Sequence, residues 1–321
     1  MIHPFYAWLE KAGKVDSASI RQLSQNLENR PFSLHREVSF LIYAGLLIGC
    51  SGLGILIYEH IGEFGHILLL MLIFGGSLFG LFFSHRRFPA FTWEKSDAPS
   101  LFMSFVVLGC TMLFMVGEGY IEFRYNWFEE KYQILGALSA LFCLLIAYRF
   151  DHQGVLSIGL SALAATVGLS ILPGKWFFDG LNAFSLPMAS TAILFGLFLL
   201  VSGYLLAGRG LKAHFESTYA SIGSFLVLMG LLWLQVDAEL NFLYSFLSIG
   251  VSFLLFLYAR KLKSVFIYVL VVFAGYFSIT ALLVRGLNSD FIALMFFYYG
   301  PVTLAGVTYL LVKYKRFLNL K

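Results

Sequence analysis

Residues 67–84 read ILLLMLIFGGSLFGLFFS, a stretch without one aspartate, glutamate, lysine, arginine or histidine. A helix that crosses a hydrocarbon core of about 30 Å at 1.5 Å per residue needs about 20 apolar residues. Lipid offers no hydrogen bonds, so a backbone that crosses it must pair its own polar groups, and this stretch lacks the alternation of a barrel strand. It therefore predicts a transmembrane helix.

The composition extends this interpretation to the whole chain of 321 residues. Hydrophobic residues make up 59% of the sequence and charged residues 12%, which is about half the charged share of an ordinary soluble domain. With 35 Phe, 17 Tyr and 5 Trp, the chain has more apolar surface than one water-soluble core can bury. We predict an all-α integral membrane protein. The net charge of +4 is too small to indicate a nucleic-acid partner, and membrane lipid is the partner that we expect.

Ten apolar runs free of the five ionisable residue types predict ten membrane spans. They cover residues 38–58, 67–84, 99–117, 132–148, 154–172, 185–206, 217–236, 240–258, 264–284 and 291–312. The predicted organisation is a cytoplasmic or interfacial helical hairpin over residues 1–36, a ten-span bundle over 37–312 and a basic cytoplasmic tail over 313–321. Two stretches of the sequence are weakly similar, GLLIGCSG at 45–52 and GLFLLVSG at 196–203. An inverted repeat of five plus five spans therefore stays open.

The lysines and arginines gather on one side of this arrangement. With the N-terminus inside, 18 of the 22 fall in predicted cytoplasmic segments, and the other four are Arg124, Lys131, Lys175 and Arg285. Cytoplasmic loops of membrane proteins carry an excess of these cations. We therefore expect both termini in the cytoplasm.

Small residues recur inside the spans at spacings that let two helices approach closely. We predict helix-packing positions at Gly45, Gly49, Gly52, Gly76, Gly80, Gly196 and Gly203. The tenth span contains Gly300 and Pro301, and the proline removes one backbone donor near mid-membrane, which predicts a kink or a local break. A broken helix can present backbone groups to a solute, whereas a kink can also serve packing alone.

Few residues of the sequence suggest chemistry. No cofactor or metal ligand set is predicted, because Cys50, Cys110 and Cys143 each stand alone in an apolar run. No span centre carries an ionisable residue, which argues against a pump that works through buried carboxylates. One cluster from two adjacent inner loops could bind a phosphate headgroup or act on one, or could simply anchor helix ends to anionic lipid; its members are His85, Arg86, Arg87, Arg149, Asp151 and His152.

The predicted outer loop 118–131 reads EGYIEFRYNWFEEK. Its aromatic residues are typical of a belt at the membrane interface. Its four glutamates leave open a second interpretation, an outer gate or a rim that attracts cations.

The N-terminal region resembles a known family. Its pattern runs from Trp8-Leu9 through Gly13 and Val15 to Arg36-Glu37, and the glycine-rich first span YAGLLIG follows at 43–49. This order of features over roughly residues 1–85 is similar to the bacterial predicted-membrane-protein family called domain of unknown function 2157. That family has no established activity, so the resemblance implies a bacterial inner (cytoplasmic) membrane location and no particular chemistry.

Three classes of function remain open at this point. The first is a carrier or flippase for a small neutral or lipid-like molecule, which the many spans and the break at Pro301 favour. The second is a structural or regulatory membrane partner that docks through its N-terminal hairpin. The third, an enzyme acting on lipid headgroups through the inner His/Arg cluster, is the least favoured.

Overall fold

The structure is a computed structural model that describes residues 62–96, 98–128, 131–171, 186–237, 241–286 and 289–318, with six single positions between 41 and 52. The predicted hairpin over residues 1–36, most of the first span and the end of the tail lie outside the described residues. The chain divides into two compact units, Met1–Leu68 and Leu69–Lys321. Of the first unit, the structure describes helical single positions in the predicted first span and the beginning of the first long helix.

The described residues form helices and no strand. Nine long helices cover the second to the tenth predicted span in order, and a short helix follows them. They are α1 (Glu63–Arg87), α2 (Leu101–Tyr125), α3 (Tyr132–Phe150), α4 (Gln153–Ile171), α5 (Leu186–Gly208), α6 (Glu216–Asp237), α7 (Asn241–Leu262), α8 (Val265–Gly286), α9 (Ser289–Val312) and α10 (Tyr314–Phe317).

Seven of these helices are long and apolar enough, within the described residues, to cross a membrane. Helices α4 and α9 contain shorter apolar stretches, Gln153–Gly168 and Tyr299–Val312. Many apolar side chains of the long helices face outward; Phe79 on α1 exposes 71% of its surface and Val302 on α9 exposes 72%. Such a surface needs a lipid environment or a protein partner. The prediction of an all-α membrane protein is confirmed, whereas the count of ten spans remains a prediction.

Helix α2 is longer than its predicted span. It starts after Ser100, whose Oγ accepts a hydrogen bond from the Met103 backbone N–H at 3.2 Å, and it continues through Tyr125. The expectation of a loop over 118–131 was therefore wrong for residues 118–125. Glutamate is a good helix former, and the chain turns only at Asn126, which adopts the left-handed conformation (φ 48°) that asparagine tolerates.

Helices α3 and α4 form a hairpin with a two-residue connection. Asp151 takes a left-handed conformation (φ 55°), and the backbone N–H of His152 donates to the Ala147 carbonyl oxygen at 3.0 Å. The chain then enters α4 at Gln153. This tight reversal fixes where the Asp151 and His152 side chains lie at the end of the bundle.

Buried apolar side chains form two clusters. One joins α2, α3 and α4 with the start of α6, around residues such as Val107, Cys143 and Leu156. The other joins α6, α7 and α8 with the C-terminal segment, where Leu318 is fully buried beside Tyr268. The second cluster lies at the end of these helices that the C-terminal segment reaches.

Candidate functional site

Asp151 is the centre of a buried charge cluster. Its carboxylate lies 3.0 Å from Lys212 Nζ and also pairs with His214 Nε2. The Asp151 and Lys212 side chains each expose only 2% of their surface. Burial of a carboxylate and an ammonium group is costly unless the two are paired, so each of these charges depends on the other.

The same carboxylate ties three connections of the chain together. The Ser96 backbone N–H donates to Asp151 at 2.5 Å, the Lys212 backbone N–H donates to the Trp93 carbonyl oxygen at 2.8 Å, and Lys212 Nζ lies 3.3 Å from the Glu94 carbonyl oxygen. The connections α1–α2, α3–α4 and α5–α6 therefore meet at one end of the second unit. We call this set the Asp151 cluster; its residues are Trp93, Glu94, Ser96, Asp151, Lys212 and His214.

The structure separates the predicted headgroup cluster into parts. Arg149 donates from Nε to His85 Nδ1 at 3.2 Å and from Nη1 to the Pro89 carbonyl oxygen at 3.1 Å. Arg86 and Arg87 each lie over a phenylalanine ring one turn back on α1, at 4.5 and 4.2 Å from the ring centres. Asp151 instead pairs with Lys212 and His214, which the sequence reasoning left out.

His152 serves as the N-cap of α4. Its Nδ1 accepts a hydrogen bond from the Val155 backbone N–H at 3.1 Å, which requires the unprotonated nitrogen. Burial lowers the pKa of His152 from its ordinary 6.5, against the opposing effect of a hydrogen bond to the Ser104 carbonyl oxygen. The ring is thus neutral and has a structural role as a helix cap. It is separate from the pair formed by His85 and Arg149.

The predicted packing glycines differ in their surroundings. A Cβ on Gly80 would clash with Cys110 Sγ. A Cβ on Gly196 would lie 2.7 Å from the Gly223 carbonyl oxygen, and one on Gly203 would lie 2.6 Å from Tyr219 Cβ. Gly76 has an ordinary contact at 3.8 Å with Leu113. Gly45, Gly49 and Gly52 are isolated described positions, so their packing role stays a prediction.

A row of polar side chains lies buried between α6, α7 and α8. Gln235 Nε2 donates to Ser278 Oγ at 3.1 Å, and Ser278 Oγ lies 2.9 Å from Ser248 Oγ. Arg285 donates to Ser245 Oγ at 3.2 Å and to the Gln235 carbonyl oxygen. We call this row the polar seam; its residues are Gln235, Ser245, Ser248, Ser252, Ser278 and Arg285.

The polar seam ends half-way along the helices. Ser252 lies one turn beyond Ser248, exposes 4% of its surface, and has a hydroxyl without a hydrogen-bond partner. It is 11 residues from the start of α7, which is about 16 Å at 1.5 Å per residue. Beyond it begins the second apolar cluster, which includes Leu228, Leu255 and Val271.

Two further carboxylates lie near the C-terminal end of α2, at Tyr125. Glu118 accepts a hydrogen bond from Ser139 Oγ at 2.5 Å, and Glu122 accepts one from the Phe128 backbone N–H at 3.0 Å. Both side chains are buried, with 4% and 6% exposure. Sequence reasoning placed them in a loop and so missed them; the signal that could have found them is their four-residue spacing, which puts both on one face of a helix.

Pro301 lies inside α9, and the helix continues on both sides of it. Because proline has no N–H, the Phe297 carbonyl oxygen loses its ordinary donor. The Thr303 hydroxyl lies 2.7 Å from the Tyr299 carbonyl oxygen and 3.1 Å from that of Gly300. The helix is thus not broken at Gly300 and Pro301, and the kink stays a prediction.

The N-terminal part of the chain is similar to a family of membrane proteins. Residues 7–156 match the model of the family described as predicted membrane protein (DUF2157). The predicted resemblance is confirmed, and the match extends well beyond residue 85. It contains α1 to α3 with Glu118, Glu122 and Asp151, whereas Lys212 and the polar seam lie outside it. No curated protein and no solved structure matches the chain.

Proposed function

We propose that this protein is a carrier for a small, neutral, hydroxyl-bearing solute, and that the solute moves along the polar seam. The observation that supports this proposal most directly is a row of buried hydroxyl and amide groups that reaches mid-depth and ends at the unpaired hydroxyl of Ser252. Polar groups without a hydrogen-bond partner are unfavourable at membrane depth. A solute hydroxyl can supply the missing partner.

The chemistry of the polar seam favours an uncharged solute. Its deeper members Ser248, Ser252 and Ser278 are neutral groups that can both donate and accept hydrogen bonds. The single charge, Arg285, lies at the end of α8 and already donates to Ser245. Ser248 and Ser278 are fully buried between helices, which favours a small solute over a lipid that slides along the bundle surface.

Alternating access follows from the shape of this region. The polar seam occupies one half of the α6–α7–α8 packing, and the second apolar cluster fills the other half up to Leu318. Transport requires α6, α7 and α8 to part at this cluster while they close around the polar seam. We place the protein in the bacterial inner membrane with ten spans and both termini in the cytoplasm, so that the polar seam opens outward.

Osmotic swelling of proteoliposomes tests the proposal. The purified full chain is reconstituted and diluted into iso-osmotic glycerol, erythritol, urea or sorbitol, and light scattering follows solute entry. We expect at least one of these solutes to enter several-fold faster than into empty liposomes. The variant Ser278→Val, which removes the hydroxyl between Gln235 and Ser248, should lose most of that increase.

Ser221→Ala is the matched control, because the Ser221 hydroxyl bonds to the Ser217 carbonyl oxygen within α6 and lies outside the polar seam. It should swell as the unaltered protein does. Entry of all four solutes at the rate of empty liposomes, or equal rates for Ser278→Val and Ser221→Ala, would show that the polar seam is not a solute path.

A second candidate, a structural membrane partner, is favoured by two observations. Helices α5 and α6 touch at Gly196 and Gly223, and the Asp151 cluster holds three connections together, as in a rigid scaffold. The headgroup enzyme ranks third, because His152 is engaged as a helix cap and Asp151 in an ion pair.

A further inference from the structure

The α2–α3 pair contains two buried carboxylates near the Tyr125 end of α2. Glu118 and Glu122 are one turn apart on α2, so their side chains lie on the same face of the helix. Glu118 is seven residues from the end of α2 at Tyr125, which places it about 10 Å below that end. An ionisable residue at this depth is costly and usually marks an ion or proton site.

Each carboxylate has one bonded and one unpaired oxygen. Glu118 Oε2 accepts from Ser139 Oγ, and Glu122 Oε2 accepts from the Phe128 backbone N–H. The other oxygen of each, Oε1, is buried and has no hydrogen-bond partner. The side chains expose only 4% and 6% of their surface, so these two oxygens point into the protein rather than into water.

The ion pairs among the described residues do not include these two groups. Neither glutamate forms an ion pair with a lysine, arginine or histidine among the described residues. Across from Gly117 lie the apolar side chains Ile73 and Phe74 of α1. On α3, the titratable group that interacts electrostatically with Glu118 is the Cys143 thiol, one turn from Ser139. A buried carboxylate oxygen without a partner is unfavourable, so a cation that reaches these two oxygens would stabilise them.

We propose that Glu118 and Glu122 form a binding site for one monovalent cation, held by their two unpaired oxygens with the Ser139 hydroxyl beside them. A proton and an alkali ion share the chemistry of this site, since each neutralises the negative charge of a carboxylate. A Ca²⁺ ion needs six to eight oxygen ligands, more than this set offers. Among the described residues, no group of three histidine, cysteine or acidic side chains is arranged to hold a metal ion.

The fixed geometry of Glu122 supports a built site. Asn126 ends α2 in the left-handed conformation, and its backbone N–H donates to the Glu122 carbonyl oxygen at 2.8 Å. The chain thereby folds back so that Phe128 reaches the Glu122 side chain. The site does not depend on the proposed carrier activity, because it lies on helices that contribute nothing to the polar seam. Its test reads binding and not transport, so the two can fail separately.

The first experiment measures thermal stability of the purified full chain in detergent at pH 8. NaCl, KCl and choline chloride are compared at equal ionic strength, because a cation that binds only the folded state raises Tm by mass action. If the site takes an alkali ion, we expect Tm in saturating NaCl or KCl to exceed that in choline chloride by about 5 °C. The difference should disappear in Glu118→Gln and persist in the control Glu94→Gln. Glu94 is exposed, and it takes part in the Asp151 cluster through its backbone carbonyl oxygen, which the substitution keeps.

The second experiment detects a bound proton in the unaltered protein. The infrared spectrum of the unaltered protein at pH 8 in choline chloride is recorded in H₂O and D₂O. A proton in the site gives the carbonyl band of a buried carboxylic acid, and Glu118→Gln or Glu122→Gln assigns it. If NaCl removes the band, the sodium ion and the proton compete for the site.

Either a cation-specific gain in Tm or the carboxylic-acid band supports the site. The Tm experiment detects an alkali ion, and the infrared experiment detects a proton. The proposal is overturned if NaCl, KCl and choline chloride give the same Tm at pH 8 and the unaltered protein shows no carboxylic-acid band. It is also overturned if the gain or the band is unchanged in both Glu118→Gln and Glu122→Gln.

Discussion

Gly196 and Gly223 face each other so closely that a Cβ on either residue would lie 2.7 Å from the carbonyl oxygen of the other. Real Cβ atoms do not approach backbone oxygen to this distance, and backbone cannot move aside as a flexible side chain can. The two residues therefore let α5 and α6 come into backbone contact. Small residues serve this purpose at many helix interfaces in membranes.

Gly223→Ala should destabilise the protein because it forces α5 and α6 apart. Overpacking of this kind costs about 1–3 kcal/mol. Unfolding by sodium dodecyl sulfate in mixed micelles measures the loss. The control is Gly250→Ala on α7, where an added Cβ meets nothing within 4 Å. Equal stability of the two variants would contradict the close contact.

Asp151→Asn should leave Lys212 buried without its counter-charge. Breaking a buried ion pair in this way costs about 3–5 kcal/mol. Lys212→Met removes the same pair from the other side, and the double variant should lose less stability than the sum of the single ones, because the residues interact directly. Additive losses, measured by the same unfolding experiment, would mean that the ion pair contributes nothing.

The pH dependence of stability should carry a contribution from His152. Its folded-state pKa lies below the ordinary 6.5, so the unfolded chain takes up a proton at this residue more readily. The contribution is fully present above pH 6.5 and is lost as the pH falls below it. His152→Asn keeps a good N-cap without a titratable group, so its Tm should fall less between pH 7.5 and 5. The same fall in both proteins would argue against a neutral His152 in the cap.

Pro301→Ala should straighten α9, because the alanine N–H can bond to the Phe297 carbonyl oxygen. If the predicted kink at Pro301 takes part in solute movement, expression stays normal while solute-induced swelling of proteoliposomes declines. Gly306→Ala, on the same helix with open space around the added Cβ, is the control. Unchanged swelling in Pro301→Ala would assign the proline to packing alone.

The ten-span topology predicts where reporter fusions are located. Fusions at residues 89, 151, 210 and 262 should report the cytoplasm, and fusions at 62, 125, 178 and 238 the outside. The meeting of three connections in the Asp151 cluster agrees with the same side for the first three positions. Two or more reversed fusions would contradict the topology.

The helices could be predicted from the sequence because each span must be about 20 residues long and apolar, which is a local property. The Asp151 cluster could not be predicted from the sequence. Ser96 and Lys212 are far from Asp151 along the chain, and no periodic pattern indicates a contact between them. The end of α2 was missed for a different reason. Ionisable residues served as boundaries of spans, and Glu118 and Glu122 continue the helix as buried side chains.

The polar seam was predictable only in part. Ser248, Ser252 and Ser278 are visible as hydroxyls inside spans, but serine also bonds to its own helix backbone, so its presence alone does not indicate a network. Gln235 is neutral and lies near a span end, so the sequence does not mark it as part of a network. Its role is visible only in the structure, where α8 places Ser278 within hydrogen-bond distance of it. Packing between helices, which the sequence does not encode locally, creates the row.

The Asp151 cluster also imposes an order on biosynthesis. A ribosome adds about 5–20 residues each second, so Lys212 follows Asp151 by roughly 3–12 s. During that interval the α3–α4 hairpin exists with a carboxylate that lacks its ammonium partner. The hairpin must keep Asp151 in water at the membrane surface, and the three connections can close only after α5 has entered the bilayer.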